Sequence, residues 1–183
     1  MTSGYGGHSL CRVSDVNVSL GIDGINEIDG INEINEINEI LEITSTVYDQ
    51  MCALALAEYP LEACGLMAGE PGSSRVTQFF PCRNIEKSAR IYTVDAKDHL
   101  RAEREAESAG HEILGVMHSP THSEAYPSAT DVAAAPDPGW HYLIVTLKRE
   151  KPEVRSFRID ASQSQATSPD QPISEVRVQV IAD

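Results

Sequence analysis

From residue 41 onward the apolar positions fall into two periods. Spacings of three and four, at Val47, Met51, Leu54 and Ala55, predict a helix that starts at a Thr44 or Ser45 cap and runs to about Glu58, where Pro60 ends it. A second helix, dense in Arg and Glu on its wet side, is predicted over 96–109, capped by Asp95 and stopped by Gly110. Alternating or wholly apolar runs predict strands at 41–43, 62–70, 75–81, 90–94, 112–118, 141–147, 154–160 and 173–181. A short third helix should start at Ser128 and run through Ala135. The resulting order, β-α-β-β-β-α-β-α-β-β-β, describes a single α/β domain with a mixed sheet flanked by helices.

The first forty residues follow neither period. Residues 1–21 are rich in Gly and Ser, and isoleucine then recurs at 22, 25, 28, 31, 34, 37, 40 and 43. On an α-helix a three-residue step falls about 60° short of a turn, so these side chains wind around the rod instead of forming a stripe. Residues 1–40 are therefore expected to be a low-complexity, disordered N-terminal extension, with the folded domain at 41–183 and a Ser/Gln/Pro linker at 161–172 inside it.

Charge sharpens that division. The net charge is −14, and residues 1–43 carry eight acids against Arg12 alone, half of the total. The acidic balance argues against nucleic acid and anionic membrane surfaces as partners. No stretch is apolar enough to span a membrane, and no basic start leads into an apolar run, so a cytoplasmic address is expected. Cys11, Cys52, Cys64 and Cys82 show no C-x-x-C spacing and read as reduced, structural residues.

The candidate chemistry lies in G-V-M-H-S-P-T-H-S-E-A-Y-P-S-A-T-D, residues 115–131. His118 closes an apolar strand, and Ser128 and Asp131 open a helix. Glu62 enters an apolar strand far upstream. Singly, each has a plain structural reading: a packed core histidine, a helix cap with its first-turn acid, an exposed strand edge. His8, His99, His111 and His141 carry only such readings. No Gly-rich phosphate loop or G-x-S-x-G elbow is present.

Together the residues resemble the JAMM (MPN-plus) family of zinc metallopeptidases, whose signature is an upstream Glu, then H-x-H, then S-x-x-D. The likeness runs from about Leu41 to the last strand and is nearest to the actinobacterial branch that acts on ubiquitin-like sulfur-carrier proteins. It is carried by Y-P-L-E-A-C-G-L-M-A-G (59–69), the H-S…T…E-A-Y-P-S-x-T-D frame (118–131), H-Y-L-I-V-T (141–146) and R-S-F-R-I (155–159). The resemblance implies a single MPN/JAMM-type domain with a mixed, curved sheet. It implies Zn2+ held by His118 and Asp131, Glu62 as the proton shuttle, and Ser128 as the donor to the developing oxyanion.

One position departs from the pattern. The family's second zinc histidine is here Pro120, which has no donor atom, and the next histidine is His122. His122 serves as a ligand only if the 119–122 turn folds back, bringing its ring to about 2.0–2.1 Å from the metal; water could also take the place. The expected activity is hydrolysis of an amide at the C-terminal tail of a small ubiquitin-like sulfur carrier. The alternative is a non-catalytic MPN-type binding module that has lost tight zinc.

Overall fold

A computed structural model describes residues 39–160 and 173–183. The expected N-terminal extension, apart from Glu39 and Ile40, and the linker at 161–172 lie outside the described residues. The strands are β1 (Ile40–Thr44), β2 (Cys64–Gly69), β3 (Arg75–Val76), β4 (Gln78–Cys82), β5 (Glu112–His118), β6 (His141–Thr146), β7 (Glu153–Ile159) and β8 (Ile173–Ile181). The helices are α1 (Ser45–Glu58), α2 (Ala96–Ser108) and α3 (Ala129–Ala134). The strands form one eight-stranded sheet in the order β3-β1-β8-β7-β6-β5-β2-β4, with β1–β3, β1–β8 and β5–β6 parallel and the other pairs antiparallel.

Sheet curvature explains the one predicted strand that the structure divides. Residues 75–81 were expected as a single strand, but Thr77 turns its N–H to Ala68 O at 3.0 Å and the run splits there. β3 joins β1 and β4 joins β2, at opposite ends of the strand order, so the sheet curls until its two edges share one stretch of chain. Gly69 permits the approach: a Cβ there would meet Arg75 O at 1.9 Å.

Each sheet face buries its own cluster, as the two-residue period of strands requires. One core packs Leu41, Ile43, Met67, Met117, Leu143 and Val145 against Val47, Met51 and Ala55 of α1, the helix face expected from the spacing. Each of these fully buried large aliphatic side chains contributes roughly 1.5–3 kcal/mol before entropy is counted. The opposite face packs Cys64, Leu66, Val116, Tyr142 and Ile159 against Ala102 of α2. His118 and Cys64 belong to that second face, because they alternate with Met117 and follow the parity of Val116 and Leu66.

The longer helices differ in how their ends are held: α2 follows the sequence expectation, and the start of α1 does not. The Asp95 carboxylate accepts from Lys97 N (2.8 Å) and Asp98 N (3.2 Å), and Gly110 leaves α2 at φ +74°. Thr44 sits at the N-cap of α1 without a capping side-chain bond. Instead the Asp183 carboxylate accepts from Thr46 N at 3.1 Å and Thr46 Oγ1 at 2.6 Å, so the far end of the chain caps the first helix.

The segment 90–94, expected as a strand, is not one. Only Val94 pairs, in an isolated bridge to Asn84. The Asn84 side chain takes the place of a partner strand: its Nδ2 donates to Ile91 O (3.1 Å) and its Oδ1 accepts from Thr93 N (3.1 Å). Residues 83–95 thus form a strap over the second face of the sheet, tied down where Arg83 donates through N and Nε to the Asp98 carboxylate of α2.

Candidate active site

The site forms where β5 ends and the chain approaches β2. The β2–β5 register pairs Cys64 with His118. It continues past the strand ends, because Ser119 N donates to Ala63 O and Ala63 N donates to Ser119 Oγ, both at 3.0 Å. Counted one residue further on each chain, Glu62 falls opposite Pro120, and the two border one cleft with His118. Side chains opposite each other in an antiparallel pair share a face. Glu62, His118 and Pro120 are therefore presented together, on the face covered by the strap.

These residues line a cleft of about 310 Å3 with Ala89, Arg90, Thr121, His122, Ser123, Tyr126, Ser128 and Asp131. Every candidate read from the sequence, Glu62, His118, His122, Ser128 and Asp131, borders this one cavity. His118 is 4% exposed and its ring stacks on Tyr92 of the strap, with centroids 4.5 Å apart and planes at 16°. Its Nε2 lies 3.7 Å from Asp131 Oδ2. Burial lowers the His118 pKa, against the opposing pull of the Asp131 carboxylate, and so favours the neutral imidazole that ligates metals.

Glu62 is 6% exposed. Its backbone is held by the strap: Glu62 N donates to Ser88 O at 2.9 Å, and Asn84 Nδ2 donates to Glu62 O at 3.0 Å. Burial first, and then the Asp131 carboxylate, push its pKa up to about 7. A carboxyl group poised there can both accept and return a proton near neutrality.

Ser128 and Asp131 form a reciprocal capping box on α3. Asp131 Oδ2 accepts from Ser128 N at 2.7 Å, and Ser128 Oγ accepts from Asp131 N at 3.2 Å. The plain helix-cap reading of this pair is therefore correct, and it does not compete with the functional one. A hydroxyl that accepts one bond still has its own proton to donate, and both side chains border the cleft. The cap fixes the Asp131 carboxylate where His118 points.

His122 borders the cleft without being grouped, among the described residues, with the His118–Asp131 pair. The loop 119–127 is anchored at alternate residues: Ser119 to Ala63, Thr121 Oγ1 to Ala89 O (3.3 Å), Ser123 O to Thr146 Oγ1 (2.6 Å) and Ala125 O to Arg155 Nη1 (3.2 Å). His122 lies between two of these anchors, exposed at the cleft's rim, with its ring edge-on to Tyr59 at 6.4 Å. Among the described residues no three His, Cys, Asp or Glu side chains are grouped so as to hold a metal ion. The His118 and Asp131 donors suit one cation, since ligand atoms on a tetrahedral zinc with bonds of 2.0–2.1 Å sit roughly 3.3–3.4 Å apart. They do not amount to the three protein ligands of a tight catalytic zinc site.

Two contributors to the site were not singled out from the sequence. Tyr92 fell in a segment read as a strand, and nothing in its spacing announces a ring stacked on His118. Ser119 was quoted only as part of the H-S frame, although a small polar residue directly after a strand-ending histidine fits a link to the neighbouring strand. Cys11 lies outside the described residues; Cys52, Cys64 and Cys82 are free thiols, and burial pushes Cys64 up to about 12 and Cys82 to about 11, far from a reactive thiolate.

Residues 44–160 match the family described as prokaryotic homologs of the JAB domain. The chain belongs to that family. This JAB-domain protein is 38% identical over 118 residues to the CysO-cysteine peptidase of Mycobacterium tuberculosis, an alignment covering 64% of this chain and 81% of the relative. It is 36% identical over 91 residues to the desampylase of Haloferax volcanii, covering 49% and 66% of the two chains. Among solved structures it superposes on a protein of Desulfitobacterium hafniense with a TM-score of 0.68 and 28% identity, over 79% of this chain and 94% of that one. The mixed, curved sheet with flanking helices is thus a JAB/MPN fold. Among its described residues no helix is long and apolar enough to cross a membrane.

Proposed function

We propose that this JAB-domain protein is a peptidase that hydrolyses an amide at the C-terminal tail of a small ubiquitin-like sulfur-carrier protein, with Zn2+ as its cofactor. One observation carries the reading: Glu62, His118, Ser128 and Asp131, drawn from separate parts of the chain, border a single cleft. The peptidase name of the mycobacterial relative supports the same reaction class.

His118 and Asp131 would hold the cation, whose chemistry when bound is to polarise a carbonyl and acidify a water. The remaining work falls to the chain's own groups. Glu62, buried and with its backbone fixed at both N and O, takes the proton released as water attacks and hands it to the leaving amine. The Ser128 hydroxyl donates to the carbonyl oxygen as it turns anionic. The strap and the 119–127 loop bound a cleft that suits an extended tail, and strand addition at a sheet edge is the mode such tails commonly use.

A second reading, a non-catalytic module that holds the carrier tail without tight metal, is favoured by Pro120 and by the lack, among the described residues, of a third donor grouped with His118 and Asp131. One experiment separates the two. A carrier protein extended by one amino acid at its C-terminus is incubated with the protein and zinc, and its mass is followed. Loss of the terminal residue with the native protein, but not with Glu62→Gln, supports the peptidase. An intact carrier that co-elutes with the protein supports the module.

A further inference from the structure

The residue at 120 fixes how firmly this site can hold a cation. The register across from Glu62 places position 120 on the same face as His118, two residues along the same extended chain. A side chain there borders the cleft, and Pro120 does so. The proline side chain carries no lone pair for a metal, and Pro120 is buried, so its ring fills the space without serving as a ligand.

The nearest alternative does not replace it. His122 stands past the bends at 121–123, at the exposed rim of the cleft, and is not grouped with His118 and Asp131 among the described residues, so a further fold-back would be needed to bring its ring to them. The anchors at Thr121 and Ser123 work against one, since each ties the loop to a different element on either side of the histidine. The 122 ring is exposed and faces Tyr59.

We infer that the protein grips its divalent cation through His118 and Asp131 alone, so that Pro120 makes the site an exchangeable one, loaded and emptied with the ambient supply of zinc. His118 and the capped Asp131 already face each other across 3.7 Å, close to the spacing of two ligand atoms on one cation. The other coordination positions fall to water, or to a donor that a ligand brings into the cleft. The inference shares its two ligands with the peptidase reading but concerns affinity rather than turnover.

The test is zinc affinity, measured by competition with a chromophoric chelator of micromolar affinity on the full chain, with circular dichroism and thermal melting as folding controls. The native protein should yield its zinc to the chelator, and Asp131→Asn should bind none. Pro120→His should bind at least ~100-fold more tightly, since loss of even an outer hydrogen-bond partner of a metal ligand costs roughly 10–100-fold. Pro120→Ala, which removes the ring but adds no donor, should not tighten binding, and His122→Ala should leave the native affinity unchanged. Native protein that keeps its zinc against the chelator, a His122→Ala variant that loses it, or a folded Pro120→His no tighter than native would each overturn the inference. If Pro120→His fails to fold, the Asp131 and His122 variants decide. Cleavage of the carrier at saturating zinc is a separate readout, so an inactive protein with this metal profile would defeat the peptidase reading alone.

Discussion

Ser119 and Ala63 exchange two hydrogen bonds, one through backbone alone and one through the serine hydroxyl, and this pair sets Glu62 against the end of β5. Ser119 is fully buried and Ala63 nearly so. Without the hydroxyl, the Ala63 N–H would be left in the interior with no acceptor. Ser119→Ala should therefore destabilise the fold by about 1–3 kcal/mol, read as a shift in the denaturant midpoint at constant slope. It should also lower kcat by about a hundredfold if Glu62 moves by even an ångström relative to His118. A variant with native stability would show that the hydroxyl bond is dispensable.

On the proposed reading, Glu62→Gln removes the proton carrier while keeping the shape of the side chain. Its effect should fall on kcat, by about 10²–10⁴-fold, with KM for the carrier tail little changed. Zinc affinity should also be retained, because Glu62 is not one of the two ligands. Loss of metal in this variant would move Glu62 from proton transfer to coordination.

Ser128 caps α3, and on the proposed reading it also donates to the oxyanion; substitution can separate the two. Ser128→Ala deletes both the α3 cap and the hydroxyl donor, so it should cost about 1 kcal/mol of stability and about 10²–10³-fold in kcat. Ser128→Asp supplies a capping acceptor again but no proton at neutral pH, and should recover the stability without the rate. Recovery of both would leave only the structural role.

Much of this architecture was legible from the sequence because it rests on local rules. The α1 face follows from Val47, Met51 and Ala55, and the ends of α2 follow from Asp95 and Gly110, each acting within a few residues. The candidate cluster was legible for a different reason. Singly, His118, Ser128 and Asp131 read as a packed histidine and a helix cap, and only their order after Glu62, with its resemblance to the JAMM pattern, singled them out. What escaped depends on contacts distant in sequence. The break at Thr77 is set by a bond to Ala68 and by sheet curvature. The 90–94 segment is held by the Asn84 amide rather than by a strand. The anchoring of the loop on either side of His122, Thr121 to Ala89 and Ser123 to Thr146, is likewise long-range, and no spacing within 115–131 encodes it.

Away from the cleft, His141 is an acid-sensitive point in the fold. It starts β6 at 2% exposure, with Nδ1 3.3 Å from Ser156 Oγ and Nε2 3.8 Å from Glu39 Oε1. Burial, and then the Arg158 guanidinium, push its pKa down to about 4, although the Glu39 carboxylate pulls the other way. An unfolded histidine titrates near 6.5. Between those values the unfolded chain takes up a proton that the folded chain refuses, so the folded state loses ground as pH falls through the window from about 6.5 to about 4. The loss attributable to this ring is at most about 3 kcal/mol. Carboxylates such as Glu62 titrate in part of the same range with the opposite sign, so the comparison must be a difference between two proteins. His141→Gln, which cannot titrate, should lose less stability than the native protein across that window, while the two curves run parallel above about pH 7. Denaturant melts at stepped pH measure this directly, and curves that stay parallel down to pH 4 would assign the acid sensitivity elsewhere.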